Sequence, residues 1–149
     1  MVFFQFETDF VDNLRCIPMQ VRFKLDTCGI KLKLSDWTCF SPSERQAIVN
    51  QPCTTPAEIQ AYRDLLQQLV EKYAGTKAKE LEVAANPAWL EIDNIPVDLQ
   101  IKAEEIGAKI SLQQWVALTP LQRFALIKLS RPSHENKNFL PAMQEFHLI

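Results

Sequence analysis

Apolar residues recur at helical spacing in two stretches of this chain that lie 78 positions apart. In the first stretch Val21, Leu25 and Cys28 fall at i, i+4 and i+7, so they share one face of a helix. The second stretch repeats this stripe with Leu99, Ala103 and Ile106. Strict alternation of apolar and polar residues, which is typical of strands, is almost absent. The pattern therefore predicts an all-α fold.

Prolines and glycines mark the ends of these two helices at equivalent places. Pro18 and Pro96 are predicted at the first helical position, where the missing N–H of proline costs nothing. Gly29 and Gly107 follow the stripes, and we predict that they end the helices in the left-handed conformation.

A second and a third helix are predicted after each stripe. The second is short, and its apolar residues are Leu34, Trp37 and Phe40 in the first stretch and Leu112, Trp115 and Leu118 in the second. The third begins at S-P-S-E (41–44) or T-P-L-Q (119–122), and each of these is a capping box with proline at the first helical position. Both tryptophans are predicted to anchor the core.

The two stretches are also related by identity, with ten identical residues in the 33 positions from 17 to 49. We interpret this as an internal duplication with an offset of 78 residues, with repeats at about 8–75 and 86–149 and a linker at 76–85. Each repeat looks too small to bury its own apolar face. The expectation is one all-α domain over 1–149, in which the copies pack about a pseudo-two-fold axis.

The remaining segments are predicted from local signals. The longest helix is expected over 55–75, between a capping box at its start and a glycine at its end. Residues 76–85 suggest a short helix or a helical linker. Weak alternation over residues 4–10 suggests an extended arm packed on the helices.

Composition narrows the function classes. Hydrophobic residues make up 47% and charged residues 23%, as in ordinary globular proteins. The net charge of −2 disfavours nucleic acid as a partner, because duplex-binding proteins usually carry a basic excess. No apolar run approaches the ~18 residues needed to span a bilayer, and the start of the chain lacks the basic region of a signal peptide. We expect a cytoplasmic protein that binds neither nucleic acid nor a membrane.

No motif for catalysis or for a cofactor stands out. The three glycines do not cluster into a phosphate-binding loop. His134 and His147 are the only histidines, and neither belongs to a metal-ligand or catalytic motif. We predict a protein that is not an enzyme and that holds no cofactor or metal of its own.

The four cysteines allow two interpretations. None belongs to a C-x-x-C pair. Cys28 and Cys39 match Ile106 and Ala117 in the second copy, which predicts that both are buried packing residues. The match of Cys16 is polar, so an exposed thiol is expected there. The alternative is a redox or metal carrier built from Cys16, Cys28, Cys39 and Cys53.

Charged residues that recur in both copies suggest structural roles. Arg45 recurs as Arg123, and Asp26 is matched by Glu104, which predicts an Arg–carboxylate pair within each copy. The lysines that recur, Lys24 and Lys31 in the first copy, are expected either on solvated faces or as charges near helix ends.

The first copy holds the better candidates for function, because Arg22 and Lys33 have no basic match in the second copy. Five basic residues lie within nineteen positions, and phenylalanines precede them near the start of the chain. They either bind an acidic protein partner or form an ordinary charged face and close the protein's own core. The candidate partner-binding residues are Phe4, Phe6, Arg15, Cys16, Arg22, Lys24, Lys31 and Lys33.

The run L-R-C-I-P-M-Q-V-R-F-K-L-D-T-C-G-I-K-L (14–32), with W-T-C-F-S-P-S-E-R (37–45) and W-V-A-L-T-P-L-Q-R (115–123), resembles the nitrate-reductase-associated protein family of cyanobacteria. The resemblance implies an accessory role in assembly, activation or electron coupling of a molybdopterin-dependent assimilatory nitrate reductase. It also implies a protein partner, either the reductase or its maturation machinery. The molybdenum cofactor would then belong to that partner enzyme, and the family supplies no catalytic residues to carry over.

Overall fold

The computed structural model describes residues 3–11, 14–132 and 134–149. Helices make up most of the structure, as the sequence predicted. The structure also contains a two-stranded ribbon that the sequence did not predict. The chain divides into two compact units, residues 1–83 and 84–149. The boundary falls inside the segment 76–85 that the sequence suggested as a linker.

The first unit begins with a 3₁₀ turn and ends with the second strand of the ribbon. In chain order its elements are the turn Gln5–Glu7, α1 (Thr8–Val11), α2 (Met19–Cys28), β1 (Ile30–Lys31), α3 (Leu34–Cys39), α4 (Pro42–Asn50), α5 (Pro56–Ala74) and β2 (Lys79–Glu80). Those of the second unit are the turn Ala88–Leu90, α6 (Val97–Glu105), α7 (Leu112–Ala117), α8 (Pro120–Ser130), the turn His134–Asn138 and α9 (Phe139–Glu145).

Both predicted capping boxes are confirmed. In α4 the Ser41 hydroxyl accepts a hydrogen bond from the Glu44 N–H at 3.1 Å, and the Glu44 carboxylate accepts one from the Ser41 N–H at 2.7 Å. Thr119 and Gln122 make the same pair at 3.1 and 2.9 Å in α8. A further box at Thr55 begins α5, which at 19 residues is the longest helix described, as predicted. Each box supplies partners for N–H groups that the first helical turn leaves unpaired.

The glycine predictions are also confirmed, while the prolines lie one residue earlier than predicted. Gly29 and Gly107 end α2 and α6 with φ angles of 76° and 77°. Pro18 and Pro96 are the N-caps of these helices rather than their first helical residues. Their extended ψ angles exclude them from the helical turn, and their missing N–H is equally harmless there.

The ribbon replaces the helix expected at 76–85, so that prediction is wrong. β1 and β2 pair antiparallel, with Ile30 opposite Glu80 and Lys31 opposite Lys79. The Gln67 side chain on α5 holds the residue before β2 in place. It accepts a hydrogen bond from the Ala78 N–H at 2.8 Å and donates one to the Ala78 carbonyl at 3.1 Å. Strands of two residues are too short to leave an alternating pattern in the sequence.

The start of the described chain is also helical, so the extended arm is wrong. The turn Gln5–Glu7 leads directly into α1. The buried carboxylate of Glu7 accepts hydrogen bonds from the N–H of Phe4 at 3.4 Å and of Met19 at 2.9 Å. A negative charge is stabilised there because Met19 is the first residue of α2, where unpaired N–H groups point outward.

Each unit has a tryptophan in its interior, as predicted. Trp37 and Trp115 are completely buried. The indole N–H of Trp37 donates to the Leu14 carbonyl at 2.7 Å, and that of Trp115 donates to the Glu91 carbonyl at 2.8 Å. The core of the first unit continues through buried side chains of α2, α4 and α5.

The predicted Arg–carboxylate pairs do not appear among the ion pairs of the described residues. Arg45 instead donates to the carbonyls of Phe40 and Leu14, at 3.0 and 3.1 Å. Arg123 donates to three carbonyls, including Leu118 at 2.9 Å and Trp89 at 2.7 Å. Phe40 and Leu118 end the short helices α3 and α7, whose last carbonyls lack intrahelical donors. The arginines satisfy these carbonyls.

Candidate functional site

Three of the predicted basic residues lie at the surface of the first unit. Arg15, Lys31 and Lys33 are exposed. The ribbon places Lys79, which is also exposed, directly opposite Lys31. We call Lys31, Lys33 and Lys79 the basic ribbon. Sequence reasoning missed Lys79 because no local pattern indicated that residue 79 pairs with residue 31.

Lys24 turns inward and its ammonium group lies at the end of a helix, so of its two interpretations the structure favours the charge near a helix end over the solvated face. Its ammonium group donates to the carbonyls of Val49 and Gln51, each at 2.8 Å, and lies 5.6 Å from the centre of the Tyr62 ring. Burial lowers the pKa of Lys24. Because Val49 and Gln51 lie at the end of α4, Lys24 ties α2 to that end. These contacts give Lys24 a structural role.

Arg22 is half-buried, and its Nε donates to the Ile17 carbonyl at 3.2 Å. Phe4 is buried and Phe6 is half-buried, and their rings stack with centroids 5.3 Å apart. For Phe4 the structure favours the alternative that the sequence left open, in which the aromatic ring closes the protein's own core.

Two cysteines lie apart from the core. Cys39 is exposed, so the prediction that it packs in the interior is wrong. The buried face of the six-residue helix α3 is occupied by Trp37, and Cys39 falls on another side. Cys16 is half-buried. In the described part of the chain, no three His, Cys, Asp or Glu side chains come together as a group that could hold a metal ion.

The other two cysteines lie side by side in the interior of the first unit. Cys28 is the last residue of α2, and Cys53 lies in the loop between α4 and α5; both are buried. Their sulfurs approach consecutive carbonyl oxygens of α2. Cys28 Sγ is 3.6 Å from the Leu25 oxygen, and Cys53 Sγ is 3.9 Å from the Lys24 oxygen. We call Cys28 and Cys53 the thiol pair.

The environments of the two thiols differ. Contact with Cys53, followed by burial, raises the pKa of Cys28. Contact with Cys28 lowers the pKa of Cys53, and the charge of Lys24 acts in the same direction while burial opposes it. The surroundings therefore disfavour the thiolate of Cys28 more than that of Cys53.

A polar groove of about 410 Å³ runs along α5 and β2. Its charged lining residues are Arg63, Asp64, Glu71, Lys77 and Glu80. Several of these groups are already paired, since Arg63 forms an ion pair with Glu80 and Gln60 donates to Asp64 at 2.9 Å. Arg63 also donates to the Cys28 carbonyl at 3.0 Å. These contacts of Arg63 connect α5 to the ribbon and to the end of α2.

Comparison with known families decides the assignment. The model of the conserved nitrate reductase-associated protein family matches residues 3–146. The chain belongs to this family. The resemblance noted in the sequence is therefore confirmed over nearly the whole chain, and the family name indicates association with nitrate reductase. No match was found among curated proteins or among solved structures.

The match covers both units, because it extends from the N-terminal turn into the last helix. The basic ribbon and the thiol pair both lie within the matched residues. None of the helices in the described ranges combines the length and the apolar character needed to cross a membrane.

Proposed function

We propose that this protein is a non-catalytic, cytoplasmic accessory protein of a molybdopterin-dependent assimilatory nitrate reductase. It acts by protein–protein contact in assembly, activation or electron coupling, and its partner is the reductase or the machinery that matures it. The molybdenum cofactor belongs to the partner enzyme. Membership of the nitrate reductase-associated family carries this proposal.

The basic ribbon is the proposed contact surface. Lys31, Lys33 and Lys79 are exposed, and two of them face each other across a ribbon that fixes their backbone. Exposed lysines on a protein with a net charge of −2 attract an acidic patch of a partner without attracting nucleic acid. Exposed Arg15 is included because it lies in the same unit.

The proposal includes an internal duplication, in which the first copy makes the contact and the second copy supports the fold. Equivalent elements at the 78-residue offset support it. α3 and α7 each have six residues and a buried tryptophan, and α4 and α8 begin with matching capping boxes. Lys33 is replaced by Ser111 in the second unit, so that unit has less charge at the equivalent place.

Affinity capture from nitrate-grown cells tests the proposal. We expect tagged full-length protein to capture nitrate reductase or cofactor-insertion proteins, and the captured amount to fall as salt rises, because exposed charges are screened. A variant with Lys31→Glu and Lys33→Glu is expected to capture at least about tenfold less, since each lost charge contact weakens the encounter.

Lys109→Glu is the matched control, because Lys109 is exposed and occupies the position equivalent to Lys31 in the second unit. It is expected to capture as much as the unaltered protein. Loss of capture in both variants would remove the basic ribbon from the proposal. Failure to capture any nitrate-assimilation protein, together with normal reductase activity in cells that lack this protein, would overturn the proposal itself.

A further inference from the structure

We propose that Cys28 and Cys53 form a two-thiol redox site that a peroxide oxidises to an intramolecular disulfide. The proposal is independent of the nitrate reductase association. It concerns the thiol pair alone, because Cys39 is exposed on α3 and Cys16 lies before α2.

The two sulfur atoms lie close together beside α2. Each sulfur contacts one of two consecutive carbonyls of α2, those of Lys24 and Leu25. The thiols also interact directly with each other. A disulfide requires two cysteines whose side chains already point at one another, since the bond tolerates little distortion. The interaction between the two thiols, and their contacts with neighbouring carbonyls of α2, bring the two sulfurs together as a disulfide needs.

The surroundings assign different roles to the two cysteines. Cys53 lies in a loop, is slightly more exposed than Cys28, and has the Lys24 ammonium group nearby to stabilise its thiolate. Cys28 is almost completely buried, and contact with Cys53 and burial raise its pKa. A thiolate is the form that attacks an oxidant, so Cys53 reacts first and Cys28 resolves.

The reaction balances with hydrogen peroxide as the oxidant. The Cys53 thiolate attacks one peroxide oxygen, the O–O bond breaks, and the departing hydroxide becomes water by taking a proton. The product is a sulfenic acid at Cys53. The Cys28 sulfur then attacks the Cys53 sulfur, the S–O bond breaks, and a second water leaves with the Cys28 proton. Two electrons pass from the two thiols to the peroxide.

The test uses a full-length variant with Cys16→Ser and Cys39→Ser, which keeps only the thiol pair. After reduction and removal of the reductant, one equivalent of hydrogen peroxide is added, and free thiols are counted in denaturant. We expect the count to fall from two per chain to none. A digest without reductant should contain one peptide pair linked through Cys28 and Cys53, and dithiothreitol should restore both thiols.

The order of attack is tested by trapping sulfenic acid with dimedone. Cys28→Ser should give an adduct at Cys53, whereas Cys53→Ser should give at least tenfold less adduct at Cys28. The matched control, Cys28→Ser with Cys53→Ser, keeps Cys16 and Cys39 and should form no intramolecular link. Digestion of the oxidised, unaltered protein also maps the disulfide. If a variant folds poorly, this digest still shows whether Cys28 and Cys53 are linked.

Two outcomes would overturn the proposal. One is a thiol pair that stays reduced at peroxide concentrations that oxidise Cys39. The other is oxidation of Cys53 to sulfinic acid without a link to Cys28.

Discussion

Lys24 and Lys102 show that identical residues at the 78-residue offset have different roles. Lys24 donates to two carbonyls at the end of α4, beneath the surface of the first unit. Lys102 instead forms an i,i+3 ion pair with Glu105 on α6, with Nζ and Oε2 3.2 Å apart. The first lysine satisfies partly buried acceptors, whereas the second makes a contact that water could replace.

Substitution of each lysine by methionine should separate these roles. We expect Lys24→Met to lower the free energy of unfolding by about 2 kcal/mol, because it leaves partly buried carbonyls without donors. Lys102→Met should change it by less than about 0.5 kcal/mol, as is usual for surface ion pairs. Urea denaturation followed by circular dichroism measures both. Equal losses would show that Lys24 contributes no more than a surface charge.

Single residues were predictable where their backbone or bulk determines their place. The tryptophans and the left-handed glycines are as the sequence indicated. Lys24, Arg45 and Cys39 were not, because a side chain's partner depends on which elements come together in space. A recurring residue type constrains the fold, but it does not identify the atoms that its side chain contacts.

At the scale of elements, Gly29 and Gly107 provide a matched experiment on helix termination. Both have φ near +76°, where an alanine is strained by about 1 kcal/mol. A Cβ on Gly29 would also lie 2.7 Å from the Leu81 carbonyl oxygen and 2.8 Å from Val83 Cγ2, while a Cβ on Gly107 would meet nothing within 4 Å.

We therefore expect Gly107→Ala to cost about 1 kcal/mol and Gly29→Ala to cost at least about 2 kcal/mol more, since the segment after β2 must move. Denaturant titration of both variants gives the difference. If the two variants lose the same stability, the segment after β2 does not lie against Gly29.

Glu44 makes the α4 capping box sensitive to pH. Its carboxylate accepts from the Tyr73 hydroxyl at 2.6 Å and from the Lys72 ammonium at 2.9 Å. The Tyr73 hydrogen bond, followed by the Ser41 N–H and Lys72, lowers the pKa of Glu44 to about 2 from a usual 4.5. In the matching box of α8, Gln122 has no charge to lose.

A carboxyl group whose pKa is lower in the folded than in the unfolded state stabilises the fold at a pH above its unfolded pKa. This stabilisation is lost as the pH falls toward its folded pKa. Glu44→Gln should therefore be less stable than the unaltered protein at pH 7, by about 1 kcal/mol for a partly exposed group whose ion pair with Lys72 is screened by water. This difference should close between pH 4.5 and about 2. Tyr73→Phe should narrow the pH range over which this difference closes, because it removes the hydrogen bond that lowers the pKa of Glu44 most. Urea titrations from pH 2 to 7 measure both, and a difference that is independent of pH would contradict the assignment.

Elements were predictable where their signals are local. Capping boxes and terminal glycines lie within a few residues of the ends they determine, so α4, α5 and α8 were found from sequence. The ribbon was not, because β1 and β2 are separated by most of the first unit and each has only two residues. Their pairing depends on α5 bringing residue 79 back to residue 31.

For the whole molecule, charge gives the clearest expectation about partners. The chain carries 16 basic and 18 acidic side chains. A fluorescence-anisotropy titration of labelled duplex DNA should therefore stay flat even at low salt, where counterion release favours binding most. A basic DNA-binding protein is the positive control. A rise that disappears with added salt would show that the basic ribbon binds phosphate groups.

The family was identified from long strings of residues, not from physical chemistry. Helical periodicity and caps predicted a helical chain, and composition disfavoured several classes of partner. The thiol pair could not be predicted, because Cys28 and Cys53 are 25 positions apart and meet only after α4 folds back. Of the residues in the proposed contact surface, Lys31 and Lys33 were sequence candidates and are exposed, whereas Lys79 was added by the ribbon.

The ribbon also has a consequence for self-association. A two-stranded sheet has open edges, and such edges can pair with the strands of other molecules. Lys31 and Lys79 lie opposite each other, and their repulsion costs the fold a few tenths of a kcal/mol, about the usual price of like charges across a strand pair. In return, a strand that pairs with either open edge would have to accommodate the lysine of that edge strand. The lysines proposed to attract an acidic partner thus also oppose the edge-to-edge pairing that leads to aggregation.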